Sequence, residues 1–329
     1  MLQNLTYAAL MLTIAPSIIT AGVPPLPEET TSFGAAVLDG QLYIYGGHTG
    51  PAHEYSTADQ SGRFLRIDLE KGSAWQELTA GPKLQGLALV AHGGSVYRLG
   101  GFTAVNAEGE EHDLRSQAGV AVYDLKTDRW EDLSPLPEPR SSFDAAVLRD
   151  RVYIFGGWNL QGGSPGEWHT TAYSADLTKR PLVWEAVTTP PFQRRAVAVA
   201  AHADKLYVIG GMTPDGTTRR VDVYDVASKT WTTGPELAGE RGIDGFGVAA
   251  RSTSNGLFVS SLTGSLQRLD DDANGWSTVS TLQSPRFFHA MVPVADGLLL
   301  VGGANMSEGK IVESELVPLA SAISKSGNR

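Results

Sequence analysis

The chain of 329 residues contains no cysteine, which excludes disulfides, thiolate metal sites and a cysteine nucleophile. It also has no block of Lys or Arg, and its formal net charge is -10 at pH 7. A nucleic-acid backbone or an anionic membrane would be repelled on average. After residue 21 no apolar run approaches the roughly 20 residues that a membrane span needs. We therefore expect neither nucleic acid nor a membrane as a partner of the mature chain.

Motifs for metal and cofactor chemistry are absent as well. The sequence has no His-x-His, no His-Glu-x-x-His, no phosphate loop and no dinucleotide fingerprint. The string Asp270, Asp272, Asn274 and Gly275 matches the opening of a calcium loop, but Thr281 stands where the closing glutamate is required. These are also ordinary turn residues, so we predict no metal and no cofactor.

Residues 1–21 carry no charge and are mostly apolar, and they end in Ile19-Thr20-Ala21. This pattern suits a signal peptide cleaved after Ala21 and predicts a secreted or periplasmic protein. No Lys or Arg precedes the apolar run and Pro16 interrupts it. An uncleaved anchor or a misassigned start codon is therefore the alternative.

An internal repeat runs through the rest of the chain. Short β-branched and aromatic runs end in double glycines, which close at Gly47, Gly101, Gly157, Gly211 and Gly303, with a degenerate copy at Ser261. Tryptophans alternate with these marks, at Trp75, Trp130, Trp184, Trp231 and Trp276. Each Trp stands 26 to 30 residues before the end of the next mark, whereas the distance from a mark to the following Trp varies from 15 to 29 residues. A constant half and a variable half indicate packed units with loops on one face.

Residues 140–231 show the unit most completely: Arg140, VYIFGG, Trp184, then Arg194, LYVIGG, a strand ending in Tyr-Asp at Asp225, and Trp231. This unit resembles the kelch repeat, and the resemblance covers essentially the whole mature chain. It implies four-stranded antiparallel blades around a central channel. We predict an all-β, six-bladed kelch β-propeller over residues 22–320, followed by a polar tail at 321–329.

The strand chemistry agrees with this fold. The first strand of each unit is rich in small residues, as strands crowded around an axis require, and each Trp is expected to pack against the next blade. Residues 20–30 resemble the segment that follows Trp130, while the last unit has a third strand at 311–319 and no Trp after it. We therefore predict that residues 22–28 complete the last blade and close the ring, which hides its edge strand.

Candidate binding residues lie in two sets of loops. Arginines precede the first strand in four consecutive units, at Arg140, Arg194 (followed by Arg195), Arg241 and Arg286. They either tie neighbouring loops together as part of the repeat or form a site for an anion or a sugar carboxylate. Long loops follow the second strand in three units and carry His48, His53, His112, Trp158, Trp168 and His169, which suit sugar or peptide contacts.

Two classes of function fit these observations. The first is a non-enzymatic module that binds a carbohydrate or protein ligand through one loop-rich face. The second is a sugar mutarotase, because the chain also resembles the N-acetylneuraminate epimerase (sialic acid mutarotase) family, which implies an acid and an arginine after a double glycine. The matching stretch has Met212 in place of the acid, Arg219 or Arg220 near the arginine, and Asp215 as a substitute acid. Galactose-oxidase-like copper propellers need a cysteine that this chain lacks.

Overall fold

Short apolar runs separated by glycine and aspartate turns form antiparallel β-sheets, one for each unit of the repeat. The computed structural model describes residues 23–319. The predicted signal peptide at 1–21 and tail at 321–329 lie outside these residues. The all-β, six-bladed propeller that the repeat predicts is confirmed.

The first three blades carry the long loops. Blade 1 consists of β1 (Gly34–Leu38), β2 (Gln41–His48), β3 (Gln60–Asp68) and β4 (Gln76–Leu78). Blade 2 and its loop contain β5 (Ala88–His92), β6 (Ser95–Leu99), β7 (Phe102–Ala104), β8 (Leu114–Ser116), β9 (Val120–Asp124) and β10 (Arg129–Leu133), of which β7 and β8 form a separate hairpin. Blade 3 contains β11 (Ser141–Leu148), β12 (Arg151–Asn159), β13 (Glu167–Trp168), β14 (Tyr173–Asp176) and β15 (Trp184–Ala186).

Of the remaining blades, blade 5 has the shortest connection between its second and third strands. Blade 4 and its loop contain β16 (Ala198–His202), β17 (Lys205–Ile209), the hairpin β18 (Met212–Thr213) and β19 (Gly216–Thr217), β20 (Val221–Asp225) and β21 (Thr230–Thr233). A 3-10 turn, η1 (Gly242–Gly245), leads to blade 5, which contains β22 (Ala249–Thr253), β23 (Gly256–Ser260), β24 (Ser265–Leu269) and β25 (Trp276–Thr281). Blade 6 and its loop contain β26 (Ala290–Val294), β27 (Gly297–Val301), the hairpin β28 (Ala304–Asn305) and β29 (Gly309–Lys310), and β30 (Glu315–Pro318). Among residues 23–319, no helix is long and apolar enough to span a membrane.

The first strands of successive blades lie side by side around a central channel, and β26 returns to contact β1, so the ring is closed. Their small side chains line this channel as predicted, for example Ala36, Ala88, Ala145, Ala200 and Ala290. Clusters of buried apolar side chains fill the space between neighbouring blades; one of them joins Tyr45 and Phe64 of blade 1 to Leu87 of blade 2. Each fully buried side chain of this size contributes about 1.5–3 kcal/mol.

The repeated tryptophans join each blade to the one before it. Trp130 of blade 2 packs on Tyr45 and Phe64 of blade 1, with ring centroids 5.4 and 4.9 Å away. Its Nε1 donates a hydrogen bond to the carbonyl of Thr79, just after the outer strand of blade 1, at 3.0 Å. The prediction that Trp packs against the next blade is therefore wrong. The outer strand lies beside the exit segment of the preceding blade, and the indole N–H satisfies a carbonyl there.

Residues 23–28 close the ring as predicted. Trp75 donates its Nε1–H to the carbonyl of Pro24 at 3.0 Å, the bond that Trp130 makes to Thr79. Leu26 donates its backbone N–H to the carbonyl of Val312 at 2.9 Å, and Ser314 Oγ donates to the carbonyl of Val23 at 2.7 Å. The side chains of Val23 and Leu26 are buried between blades 6 and 1. Residues 23–28 themselves contain no strand, so this segment fastens the described three-stranded sheet β26–β27–β30 by single bonds and side-chain burial.

Each double glycine is a point of close approach between blades. Gly156 and Gly157 have φ angles of 72° and 90°, in the left-handed region that side chains disfavour. Gly157 donates its N–H to the carbonyl of Arg194 in blade 4 at 2.8 Å, and a Cβ on Gly156 would lie 2.6 Å from the same oxygen. The double glycines are thus required by the contact between blades.

Candidate ligand-binding site at the channel mouth

Three of the predicted binding arginines are structural. Arg194 is fully buried, and its Nη1 donates to the carbonyls of Gly210 and Arg220 at 3.0 and 2.7 Å. Its Nη2 pairs with the buried carboxylate of Asp222 at 2.5 Å. Burial lowers the pKa of Arg194 to about 10, against the opposing effect of Asp222. The group stays cationic at neutral pH and ties the end of the second strand to the start of the third.

Arg140 and Arg286 occupy the equivalent positions. Their Nη1 atoms donate to the carbonyls of Gly156 and Gly302, the first glycines of their own pairs, at 2.6 and 3.1 Å. Both side chains are buried, so of the two alternatives these arginines take the first: they tie parts of the repeat together and do not form an anion site at the mouth. Each of these guanidiniums is held by carbonyls inside its blade and lies away from the central cavity, although Nε of Arg140 and of Arg194 has no partner among the described residues.

Two more of the predicted arginines, Arg219 and Arg241, also lie away from the central cavity. Arg219 donates to the carbonyl of Leu237 at 2.6 Å and pairs with Glu236 at 3.0 Å, on the exit from blade 4. Arg241 is exposed just before η1, beside a second, smaller groove. The stretch that resembles the mutarotase site is dispersed as well: Arg220 pairs with Asp222, and Asp215 is exposed in the β18–β19 turn. The structure brings no carboxylate and arginine of this stretch together at the cavity.

A cavity of about 1170 Å³ occupies the channel and opens between the loops that precede the first strands and follow the second strands. Of the predicted binding residues, His48, His53, Trp158 and Arg195 line it. Reasoning from the sequence missed the other residues that give the mouth its chemistry, which are Tyr55, Gln85, Phe102, Met212, Phe246, Phe287, Phe288 and Met306.

The mouth has a rigid backbone frame. At the entrance to each first strand one residue adopts a positive φ, as do Ser32, Gly86, Ser142 and Ala196 with values of 51° to 60°. The N–H of Gly86, of Ser142 and of Ala196 each donates to the carbonyl of the equivalent residue in the preceding blade, at 2.7 to 2.8 Å. These bonds link blades 1 to 4 around the opening and fix the residues on either side of them.

Arg195 lies on this frame with its guanidinium against aromatic rings. The guanidinium carbon stands 4.0 Å from the ring centroid of Trp158 and 5.3 Å from that of Trp168, and Nη2 contacts the sulfur of Met212 at 3.1 Å. Burial lowers the pKa of Arg195, which nevertheless remains a cation. Its Nε and the indole Nε1 of Trp158 have no hydrogen-bond partner among the described residues. Two donors of the cavity wall are therefore unused.

Two more polar side chains of the wall are almost completely buried and incompletely bonded. Gln85 is 1% exposed, and its Nε2 has no partner among residues 23–319. His48 is 6% exposed; its Nε2 lies 2.9 Å from the carbonyl of Pro51, and its Nδ1 has no partner. Burial lowers the pKa of His48, so the ring is neutral near pH 7, with Nε2 donating to Pro51 and Nδ1 left as an acceptor. Leaving a buried polar atom without a partner is costly, and an ordered water or a ligand atom can supply the missing bond.

Tyr55 faces Arg195 from the loop of blade 1. Its ring packs on His48 and His112 at centroid distances of 4.9 and 5.4 Å, and the carbonyl of Tyr55 accepts a bond from Asn106 Nδ2 at 2.7 Å. Burial raises the pKa of the Tyr55 hydroxyl, while the charge of Arg195 opposes that rise. The long loops of blades 1 and 2 are thus braced against each other.

The opposite side of the mouth is apolar. Phe246, Phe287 and Phe288, from the entrances to blades 5 and 6, pack with ring centroids 5.1 to 6.0 Å apart. Ile243 and Met306 extend this surface to the rim, where Met306 is 81% exposed. The cavity therefore has a polar wall on blades 1 to 4 and an aromatic wall on blades 5 and 6.

Deeper in the channel lie one acidic and one basic side chain, Asp144 and Arg251, and the charge of each acts on the pKa of the other. Asp144 accepts hydrogen bonds from the backbone of Val199 and Ala145 at 2.7 and 2.8 Å, and burial raises its pKa to about 6. Arg251 donates its Nε–H to the carbonyl of Met291 at 3.2 Å. Within residues 23–319, no cluster of three His, Asp or Glu side chains is arranged to hold a metal ion.

These features define a six-bladed propeller with a ligand-sized cavity at one mouth. Residues 86–303 match the family described as the KLHDC2/KLHL20/DRC7 Kelch-repeats domain, and the chain belongs to the kelch-repeat family. The curated relatives include the Kelch-like protein terF of Aspergillus terreus, 24% identical over 63% of this chain and 45% of that protein. Alpha-scruin of Limulus polyphemus is 25% identical over 65% and 24%. The chain thus spans less than half the length of these relatives.

A solved structure shares the fold along nearly the whole chain. The protein titled YjhT superposes with a TM-score of 0.73 at 16% sequence identity, covering 91% of this chain and 98% of the other. At this identity the comparison shows the fold alone.

Proposed function

We propose that this kelch propeller is a binding module that holds part of a protein or carbohydrate partner in the cavity at the channel mouth. The observation that carries the proposal is the set of buried, incompletely bonded polar side chains in the cavity wall, above all Gln85 and His48. A protein interior satisfies nearly all such atoms, so their presence in the wall of an open cavity favours a ligand as the missing partner.

The mouth also combines rigidity with exposed apolar surface. Its polar wall is fixed by the frame around Gly86, Ser142 and Ala196, which reduces the entropy lost when a partner binds. The aromatic wall ends in the exposed side chain of Met306. Aromatic and methionine side chains at a concave surface are typical of binding sites.

Capture of binding partners from extracts of the source organism tests this proposal. The bait is the native chain, a Met306→Glu variant that places a charge on the aromatic rim, or a Val279→Glu control on the exposed outer strand of blade 5. A partner that binds the native chain and the control but not the Met306 variant supports the proposal. Equal capture by all three chains contradicts it. A glycan array probed with the same three chains provides the matching test for a carbohydrate partner.

We also propose that the protein is exported from the cytoplasm. Residues 1–21 are uncharged and mostly apolar, and cleavage after Ala21 would leave the ring-closing Val23 and Leu26 in place. Sequencing the N-terminus of protein recovered outside the cytoplasm should then begin at residue 22. Recovery of the chain only inside the cytoplasm, with residue 1 or 2 at its N-terminus, would overturn this part.

A further inference from the structure

We propose that the mouth selects ligands in which an anionic carboxylate head is joined to an apolar body. The head would be held by Arg195, Trp158 and Gln85, and the body would lie against Phe246, Phe287 and Phe288. This inference rests on the proposed binding function and names the chemistry of what is bound. It follows from which polar atoms of the wall are left unused and from where the apolar side chains lie.

The unused atoms on the polar wall are mainly donors. Arg195 Nε, Trp158 Nε1 and Gln85 Nε2 each carry hydrogen and bond to nothing in the described chain. A carboxylate offers two acceptor oxygens with about four lone-pair sites, and it suits a guanidinium better than a neutral acceptor does. Buried donors that remain unmatched therefore favour an anionic head.

Arg195 is placed to recognise such a head. No carboxylate among residues 23–319 lies within ion-pair distance of it, whereas Arg140, Arg194, Arg219 and Arg286 are each paired with an acidic side chain. Its guanidinium packs on the ring of Trp158 and contacts the sulfur of Met212. The side chain is thus already ordered, and little conformational entropy is lost when a ligand binds. The cation is therefore both preorganised and uncompensated.

Other charges at the mouth are already occupied or lie on the rim. Lys310 donates to the carbonyls of Thr49 and Gly50 and does not need an anion for its hydrogen bonds. The carboxylates of Glu29 and Glu308 line the opening at exposed positions, and Glu308 accepts a bond from Asn305 Nδ2 at 3.0 Å. An anion at the mouth would thus pair with Arg195 in the cavity wall and not with a charged side chain on the rim.

The aromatic wall supplies the second part of the selectivity. Phe246, Phe287 and Phe288 form one apolar surface, in which the three rings pack against each other. A ligand that is polar throughout would leave this surface in water, whereas an apolar body gains about 25 cal/mol for each Å² of apolar surface that it buries there. The two walls together favour an amphiphilic acid over an inorganic anion or a neutral sugar.

Isothermal titration of the full chain with 3-phenylpropionate and with its uncharged isostere 3-phenylpropanamide tests this inference. We expect the acid to bind at least about tenfold more tightly than the amide, because a charge-assisted bond to Arg195 is lost in the amide. In Arg195→Gln the affinities for the acid and the amide should become about equal. Arg219→Gln, which alters an arginine outside the cavity, should keep the preference for the acid. As a control, each variant should show a cooperative heat-unfolding transition like that of the native chain, which shows that it folds.

Equal affinity for acid and amide would overturn the inference, and so would a preference that persists in Arg195→Gln. Binding of neither compound would also overturn it. These outcomes are separate from failure of the binding function, because partner capture with Met306→Glu and Val279→Glu is measured without any small acid. A partner lost in Met306→Glu but retained in Arg195→Gln would uphold the function and reject the anionic head.

Discussion

Arg194 and Asp222 form an ion pair that is completely buried within blade 4, with Nη2 and Oδ2 2.5 Å apart. The carboxylate also receives Arg220 from the surface, so it connects the blade interior to the loop that follows β19. Equivalent guanidiniums in blades 3 and 6 bond to the carbonyls of Gly156 and Gly302. Buried arginines therefore hold the turns of these blades in shape.

Removing the charge of Asp222 should destabilise the propeller strongly. In Asp222→Asn the guanidinium of Arg194 stays buried without its counter-ion, which typically costs about 3–5 kcal/mol in the free energy of unfolding. Glu236→Gln, which removes the exposed partner of Arg219, should cost less than about 1 kcal/mol. Urea unfolding of the three chains measures both effects. Similar losses in the two variants would show that burial of the pair does not matter.

The closing segment should contribute to stability through its apolar side chains. Leu26 is buried against blades 6 and 1, so Leu26→Ala should lower the free energy of unfolding by about 2–5 kcal/mol. Val279→Ala on the outer strand of blade 5, where the side chain is half exposed, should change it by less than about 0.5 kcal/mol. If denaturant midpoints of native protein and Leu26→Ala coincide, residues 23–28 do not fasten the ring.

Equivalent positions of the mouth frame should respond oppositely to a methyl group. Gly247 has a φ of 59°, and a Cβ there would lie 2.8 Å from the Cβ of Phe287, so Gly247→Ala should cost about 1–2 kcal/mol or more. Ala196 has a φ of 52° at the matching place in blade 4, so Ala196→Gly should be neutral or stabilising, within about 1 kcal/mol. Thermal unfolding compares the two. Destabilisation by Ala196→Gly equal to that of Gly247→Ala would contradict the left-handed frame.

Acid should weaken the fold through His289. Burial lowers the pKa of His289 from its ordinary value of 6.5 to about 3, and the charge of Arg286 adds to this effect. His289 is therefore protonated below about pH 6.5 in the unfolded chain, but only below about pH 3 in the folded chain. Stability from this group is complete above that window and falls by about 1.4 kcal/mol per pH unit within it.

A His289→Gln variant isolates that contribution. Denaturant unfolding at about neutral pH and at about pH 4.5 should show a smaller acid-induced loss of stability in the variant than in the native chain. The variant keeps a side chain that can bond to Ser260 Oγ, the partner of His289 Nε2 at 2.6 Å. Equal losses in both chains would mean that His289 is protonated in the folded state.

The fold could be predicted because its determinants repeat. The double glycines and tryptophans recur at fixed places since every interface between blades makes the same contacts, such as Gly157 with Arg194 and Trp130 with Thr79. The site could not be predicted from the repeat. Gln85, Arg195 and Phe288 come from different blades, and they occupy positions at which the repeat does not specify the residue. Only the folded ring brings them to one opening.

The adjacent pair Arg194 and Arg195 contains a sequence signal from which the position of Arg195 at the mouth could have been predicted. Successive side chains of an extended segment point to opposite sides, so an arginine fixed inside the blade implies that its neighbour faces outward. Whether Arg140 and Arg194 were structural depended on carbonyls of Gly156 and Gly210, which are sixteen residues away and become acceptors only after the hairpin forms. The sequence left that alternative open for this reason.

Site-specific photo-crosslinking tests the central claim, that the channel mouth is the binding surface, most directly. A photoreactive residue at Met306 on the mouth rim is compared with one at Val183, which is also well exposed but lies in the β14–β15 turn on the opposite face. We predict that illumination in extract from the source organism attaches a defined partner to the chain labelled at 306 and none to the chain labelled at 183. Crosslinking from 183 with none from 306 would contradict the claim.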